Sequence, residues 1–284
     1  MILVTSASGH VGTSIVRALV RADQPVRAFV HSEKGLELKD HGVQDVVVGD
    51  LLEPAQLRSA FEGVTKVFHI GPPEHPRELA IGQAMIDLAQ EHGVAQFVFF
   101  SVLHPSISAL RHHWNKLLVQ EYLVDSGVPY TILQPTMFMR SPRQALEQGV
   151  MALPWATDQT MSVVDLDDVA EVAVKVLSEE GHLRAIYDLV GDEPLSTRDM
   201  VDIVSKVTGK PLKARQVPTD RVTQGMPRDT PAEAYEADSL ERMFIYYTRH
   251  GLTGSPNVLR FVLGRPPTTY EAFVRKSVND RAVV

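Results

Sequence analysis

Residues 6–12, Ser-Ala-Ser-Gly-His-Val-Gly, set two serines and two glycines between a short apolar run and a periodic one. Residues 2–4 read as a buried strand, and Val11, Ile15, Val16 and Leu19 recur at helical spacing. A helix that starts in such a turn leaves its first N–H groups unpaired and points its positive dipole end at the loop, which suits a pyrophosphate. The small residues, Ser6, Ser8, Gly9 and Gly12 among them, let phosphates come close, with His10 and Val11 opening the helix. The pattern is an incomplete dinucleotide fingerprint, because Ser6 stands where the first glycine is expected. An ordinary strand-to-helix turn, with Gly12 present for close packing, fits the same residues.

Other residues with chemical potential have simpler explanations. Asp165, Asp167 and Asp168 could ligate a metal, but acids at a helix start are accounted for by the dipole and by capping, so no metal is assigned. His69 and His75 flank a Pro-rich loop, residues 71–76, and read as loop rather than ligand. Met137, Phe138, Met139, Met151, Trp155 and Met161 suit either an apolar pocket or the core.

Composition narrows the classes. The 284 residues carry 28 basic and 35 acidic side chains, a formal charge of -7, and no basic run that would suit a nucleic acid. With no cysteine, disulfides, thiolate chemistry, iron–sulfur clusters and thiol-bound zinc are excluded. No apolar stretch reaches the roughly 20 residues of a membrane span, and the sequence begins in a strand without a leader, so the expectation is a soluble cytoplasmic protein.

These residues need elements to position them. Strands are expected at residues 25–31, 45–49, 66–70, 96–102 and 130–133 after the first, alternating with helices at 35–41, from Pro54 to a stop at Gly63, at 78–92 and at 110–126. Six such strands imply βαβ units in an α/β, Rossmann-type doubly wound parallel sheet. The loops at its carboxyl ends, residues 6–12, 31–34, 71–75, 101–105 and 135–139, then lie together. Beyond residue 140 the pattern loosens: a helix at 165–177, a strand at 185–190, a capping box at Ser196 and Asp199, and a second at Thr268 and Glu271. The expected division is a dinucleotide-binding domain at 1–150 and a smaller C-terminal α/β substrate lobe at 151–284, with a diffuse boundary.

Several segments resemble the NmrA-like proteins, atypical extended members of the short-chain dehydrogenase/reductase superfamily. They are residues 26–36, Val-Arg-Ala-Phe-Val-His-Ser-Glu-Lys-Gly-Leu, then 48–51, 61–63, 97–101, 127–133 and 264–268. The resemblance implies NADP or NAD at the sheet edge: the turn at 6–12 on the pyrophosphate, Asp50 and Leu51 at the adenine, Gly71 and Pro72 mid-dinucleotide, and Pro135 to Phe138 at the nicotinamide. Ser6 would either narrow that pocket or offer its hydroxyl to phosphate. After the second strand an NAD enzyme places an acid, whereas His31, Ser32 and Lys34 stand here and favour the phosphate of NADP.

Short-chain dehydrogenases pair a tyrosine with a lysine four residues on, one helix face, so that the cation steadies the phenolate, and add a serine after the preceding strand. By resemblance the serine is Ser101, the lysine Lys116, and the tyrosine position holds His112. In one reading Lys116 binds the nicotinamide ribose and His112 or His113 donates a proton with a pKa nearer 7 than a tyrosine's. In the other, His112, His113 and Trp114 are a half-exposed first helical turn without chemistry. The expectation is hydride transfer with a small apolar, aromatic or quinone-like substrate held between the two lobes. A dinucleotide-sensing regulator, with a protein partner and no turnover, and a tailoring enzyme that has lost the cofactor are the alternatives.

Overall fold

The computed structural model of the chain describes residues 1–279. In chain order the first elements are β1 (Ile2–Val4), α1 (His10–Arg21), β2 (Val26–Val30), a 3-10 segment (Glu33–His41), β3 (Asp45–Val48), α2 (Pro54–Ala60), β4 (Lys66–Ile70), α3 (Glu78–Glu91), β5 (Gln96–Phe100), α4 (Arg111–Asp125) and β6 (Tyr130–Pro135). There follow β7 (Met137–Phe138), α5 (Arg143–Gln148), β8 (Val150–Leu153), β9 (Met161–Val164), α6 (Leu166–Ser178), β10 (Ala185–Leu189), β11 (Pro194–Leu195), α7 (Thr197–Thr208), β12 (Lys213–Gln216), α8 (Thr219–Thr223), α9 (Pro231–His250), α10 (Asn257–Leu263) and α11 (Tyr270–Asn279). Among the described residues no helix is long and apolar enough to cross a membrane.

The contacts divide the chain into two compact units. The first, Met1–Ser108, His112–Gln134 and Val169–Tyr187, contains the sheet. Its strand order is β10-β6-β5-β4-β1-β2-β3, with β1 parallel to both β2 and β4, so the order reverses at β1 and β4 as in a doubly wound dinucleotide fold. The strands are largely apolar because helices cover both faces: every residue of β1 and of β5 is buried. Leu3, Phe29, Val67 and Phe97 share one core with Leu57 of α2, Met85 and Ile86 of α3, and Val119 and Leu123 of α4. The stretch at 185–190, expected beyond the sheet domain, supplies the seventh strand. Helix α6 returns with it, and its last carbonyls, which no helical N–H can meet, are taken by side chains of the sheet: Lys66 Nζ donates to Leu177 O and Gln96 Nε2 to Val176 O at 2.8 Å.

The second unit, Ala109–Arg111, Pro135–Asp168 and Asp188 onward, holds a three-stranded sheet β11-β9-β7 and a pair β12-β8. Met139, Met151, Val163, Leu195, Met200, Val204, Tyr270 and Val274 form its core. Of the six residues suited to an apolar pocket, Met139, Met151, Trp155 and Met161 are buried, and only Met137 and Phe138 are half-exposed. The Ser196 box forms as expected: the hydroxyl accepts from Asp199 N–H at 3.2 Å and the carboxylate accepts from Ser196 N–H at 2.9 Å. A box at Thr230 and Glu233 opens α9 in the same way. The box expected at Thr268 and Glu271 does not form. Thr268 is tied instead to Asp168, through its N–H at 2.6 Å and its hydroxyl at 3.0 Å, so Thr269 takes the cap and accepts from Ala272 N–H at 3.2 Å.

Candidate functional site

The turn after β1 is built around its own carbonyls. Ser6 lies at φ +49, the left-handed region that favours glycine, and its hydroxyl donates to Ile70 O at 2.9 Å. The side chain therefore anchors the turn to β4. Gly9 N–H donates back to Ser6 O at 3.0 Å, and Gly9 caps α1 without any side-chain hydrogen bond. Gly12 is where the helix presses on the turn: a Cβ there would stand 2.2 Å from Ser6 O and 2.8 Å from Ala7 Cα. Ser8, Gly9 and His10 are exposed at the open end and Val11 is half-buried, leaving the amino end of the helix clear for an anion.

Beside this turn, at the carboxyl ends of β1 to β4, lies a cavity of about 320 Å³. Phe29, Leu51, Leu52 and Ile81 make its apolar walls, and Ser6, His31, Asp50, Pro72 and His75 supply the polar and loop edges. The size and lining suit a nucleoside: apolar surface for a flat base and a few polar groups at the edge. Asp50 is shaped for the loop as well, since its Oδ1 accepts from Leu52 N–H at 2.9 Å. Ser32, directly after His31, and Lys34 are exposed at the start of the 3-10 segment.

Deeper in the same unit is a buried polar cluster. Lys116 on α4 forms an ion pair with Glu78 at the start of α3, the lysine side chain 10% and the glutamate 2% exposed. His69 on β4 is buried with Nδ1 3.0 Å from Thr5 Oγ1. His113 Nδ1 lies 3.0 Å from His104 O, and the rings of His112 and His113 meet edge-on at 4.4 Å. Glu78 Oε2, His112 Nδ1 and His113 Nε2 are buried without hydrogen-bond partners. Gly71 follows β4 directly over this cluster, a Cβ there lying 3.7 Å from both Glu78 Oε1 and His69 Nε2.

Burial dominates the titration of these histidines. It lowers His69 to about 3, His112 to about 2 and His113 to about 4, with the Lys116 charge adding to each shift and the His104 carbonyl opposing it at His113. Two expectations are corrected. His112 and His113 are not half-exposed, because they share the inward face of α4 with Lys116 while Trp114 faces out; and His112 is a neutral imidazole rather than an acid poised near pH 7. Its chemistry is that of a hydrogen-bonding ring.

A stability prediction follows from the same shifts. In the unfolded chain these three rings take up protons near pH 6.5, while the folded state holds them neutral to well below that. Stability is thus expected to fall as pH drops from about 6.5 towards about 4, by up to roughly 1.4 kcal/mol per pH unit for each ring, and to gain nothing above pH 7. Urea titrations at pH 7.5 and 5.5 read this directly; equal midpoints would contradict it.

Ser101, at the end of β5, accepts from Gln120 Nε2 at 2.5 Å, and Gln120 Oε1 accepts from Gln134 Nε2 at 3.0 Å. All three are buried. The structure thus brings Ser101, His112 and Lys116 into one unit with the turn and the cavity, while Pro135 closes β6 and Phe138 lies on β7, both in the second unit. The three aspartates are engaged in holding that unit: Asp165 Oδ1 accepts from Asp167 N–H at 3.1 Å, Asp167 pairs with Lys276, and Asp168 pairs with Arg265 at 2.7 Å. Glu78, Gln120 and Gln134 escaped the sequence reading. An acid at a helix start is accounted for by the dipole alone; the available signal was Lys116 itself, since a lysine on a buried helix face demands a counter-charge.

A profile describing the NmrA-like family matches residues 1–271. An NAD(P)H azoreductase of Xenophilus azovorans is 31% identical over 285 residues, 97% of each chain. An NADPH-dependent quinone oxidoreductase of Escherichia coli, solved with NADPH, superposes with a TM-score of 0.81 at 26% identity, over 98% of this chain and 100% of that one. A triphenylmethane reductase of Citrobacter sp., solved with NADP(H), shares the fold with a TM-score of 0.82 at 23% identity, over 98% and 100%.

Proposed function

This chain belongs to the NmrA-like family, and from that premise we propose that it is an NAD(P)H-dependent reductase of small aromatic, quinone-like substrates. The observation that carries the reading is the turn at residues 6–12: a glycine pressed against the Ser6 carbonyl and a helix end without a side-chain cap, beside a cavity of nucleoside size. The cofactor supplies hydride when bound. The chain's own residues bind and orient. Backbone N–H groups at residues 10–12 meet the pyrophosphate, Asp50 and Leu51 the adenosine, Gly71 and Pro72 the middle of the dinucleotide, and the Lys116 ammonium the nicotinamide ribose. Ser101 and the neutral His112 ring offer hydrogen bonds to the substrate oxygen as negative charge develops there.

NADP preference rests on Lys34, with His31 and Ser32 beside it. Lys34→Ala is expected to weaken NADPH binding roughly tenfold and to leave NADH binding unchanged, since an exposed lysine meets the extra phosphate as a point charge. Fluorescence titration of both cofactors tests the reading; no binding of either overturns it, and an unchanged affinity ratio overturns the role of Lys34. One observation favours a second reading, dinucleotide sensing without turnover. The imidazole at the general-acid position is held neutral by burial, so it brings no proton charge of its own at pH 7.

A further inference from the structure

Lys116 is a buried ammonium, and something must compensate it, because an isolated charge in an apolar interior is costly enough that lysine sheds its proton instead. Four titratable side chains surround it in the described structure. His69 faces it from β4, His112 and His113 from its own helix, and Glu78 from α3. The three histidines are neutral and bring no negative charge. Only Glu78 is an acid, and it is the more deeply buried partner, 2% exposed against 10% for the lysine. Its carboxylate also sits under Gly71, the first residue of the loop after β4.

On the cofactor reading given above, we propose that Glu78 is a positioning residue for dinucleotide binding: it keeps Lys116 protonated and holds its ammonium beneath the Gly71 loop. Glu78 does this without touching the cofactor. Oε1 takes the lysine and Oε2 is sealed from solvent with no partner, so the carboxylate acts through Lys116. The neutral histidines matter because they add no competing charge: the ammonium is left with one anionic neighbour and one direction to point.

The experiment is a fluorescence titration of NADPH between pH 7.5 and 9.5 with the wild type, Lys116→Arg, Glu78→Gln and the double variant Glu78→Gln with Lys116→Arg. Arginine stays charged throughout, so dividing by the Lys116→Arg affinity removes every other titration. Wild-type affinity is expected to run parallel to Lys116→Arg. Glu78→Gln is expected to lose affinity as pH rises, approaching tenfold per unit, because one proton on Lys116 is then linked to binding. The double variant is expected to be flat again, which a purely structural role for Glu78 would not produce. If Glu78→Gln runs parallel to the wild type, the proposal is overturned while the cofactor reading stands. If Glu78→Gln does not fold, a wild-type affinity that falls away from Lys116→Arg below pH 9 overturns the proposal on its own. Failure of the wild type to bind NADPH at all overturns the cofactor reading and the proposal with it.

Discussion

Replacing Lys116 by methionine is expected to lower stability by about 3–5 kcal/mol, the range for removing one partner of a buried ion pair. Methionine fills nearly the same volume, so the loss reports charge rather than a cavity. What remains is a Glu78 carboxylate with 2% exposure, one oxygen already without a partner and the other newly deprived of its own. Adding Glu78→Gln should restore most of the loss, since a neutral pair of similar shape has no buried charge to solvate. Urea titrations of the two single variants and the double variant give the coupling between them; additive effects would show that the pair is not an energetic unit.

The second large effect is at the turn, where two glycines separate packing from ligand binding. Gly12→Ala puts a Cβ 2.2 Å from Ser6 O and 2.8 Å from Ala7 Cα, both backbone atoms that cannot rotate away. The turn or the helix must move, at a cost of about 3 kcal/mol, the upper end for overpacking. Gly9→Ala is different. Its backbone, φ −72 and ψ 168, is open to any residue, and the nearest atom to a new Cβ is Ser6 O at 3.3 Å. Stability should change by less than about 1 kcal/mol, while NADPH affinity falls at least roughly tenfold because the methyl group stands at the open end of α1, where a phosphate must come close. Thermal unfolding with NADPH titration separates the two; Gly9→Ala binding as tightly as the wild type would return the turn to a packing role alone.

The sheet was legible because a parallel strand buried on both faces is a nearly unbroken apolar run. Residues 66–70 and 96–102 could be little else, and Gly93 closed the helix between them. The return of residues 185–189 to the sheet edge was not, since which strand they pair with is set by the long connection 136–184, not by local pattern. In the site, Gly12 could be picked out from spacing and Lys116 from the family resemblance. Glu78 could not, because it lies 38 residues from Lys116 and an acid at a helix start is already explained. Burial was equally hidden: a His-His-Trp run says nothing of which two rings face inward. Ser6 shows the reverse case. Its departure from glycine was visible, but not that its hydroxyl reaches Ile70 O and so helps to hold a left-handed turn.

The central claim is reduction by hydride transfer, and turnover tests it most directly. Purified protein with NADPH and a panel of quinones and azo compounds is followed by the loss of reduced-nicotinamide absorbance. The expected result is oxidation of NADPH that saturates with one of these acceptors and is lost in the charge-neutral double variant Lys116→Met with Glu78→Gln, which keeps its fold. NADPH bound tightly but not oxidised with any acceptor would contradict the claim and favour the sensing role.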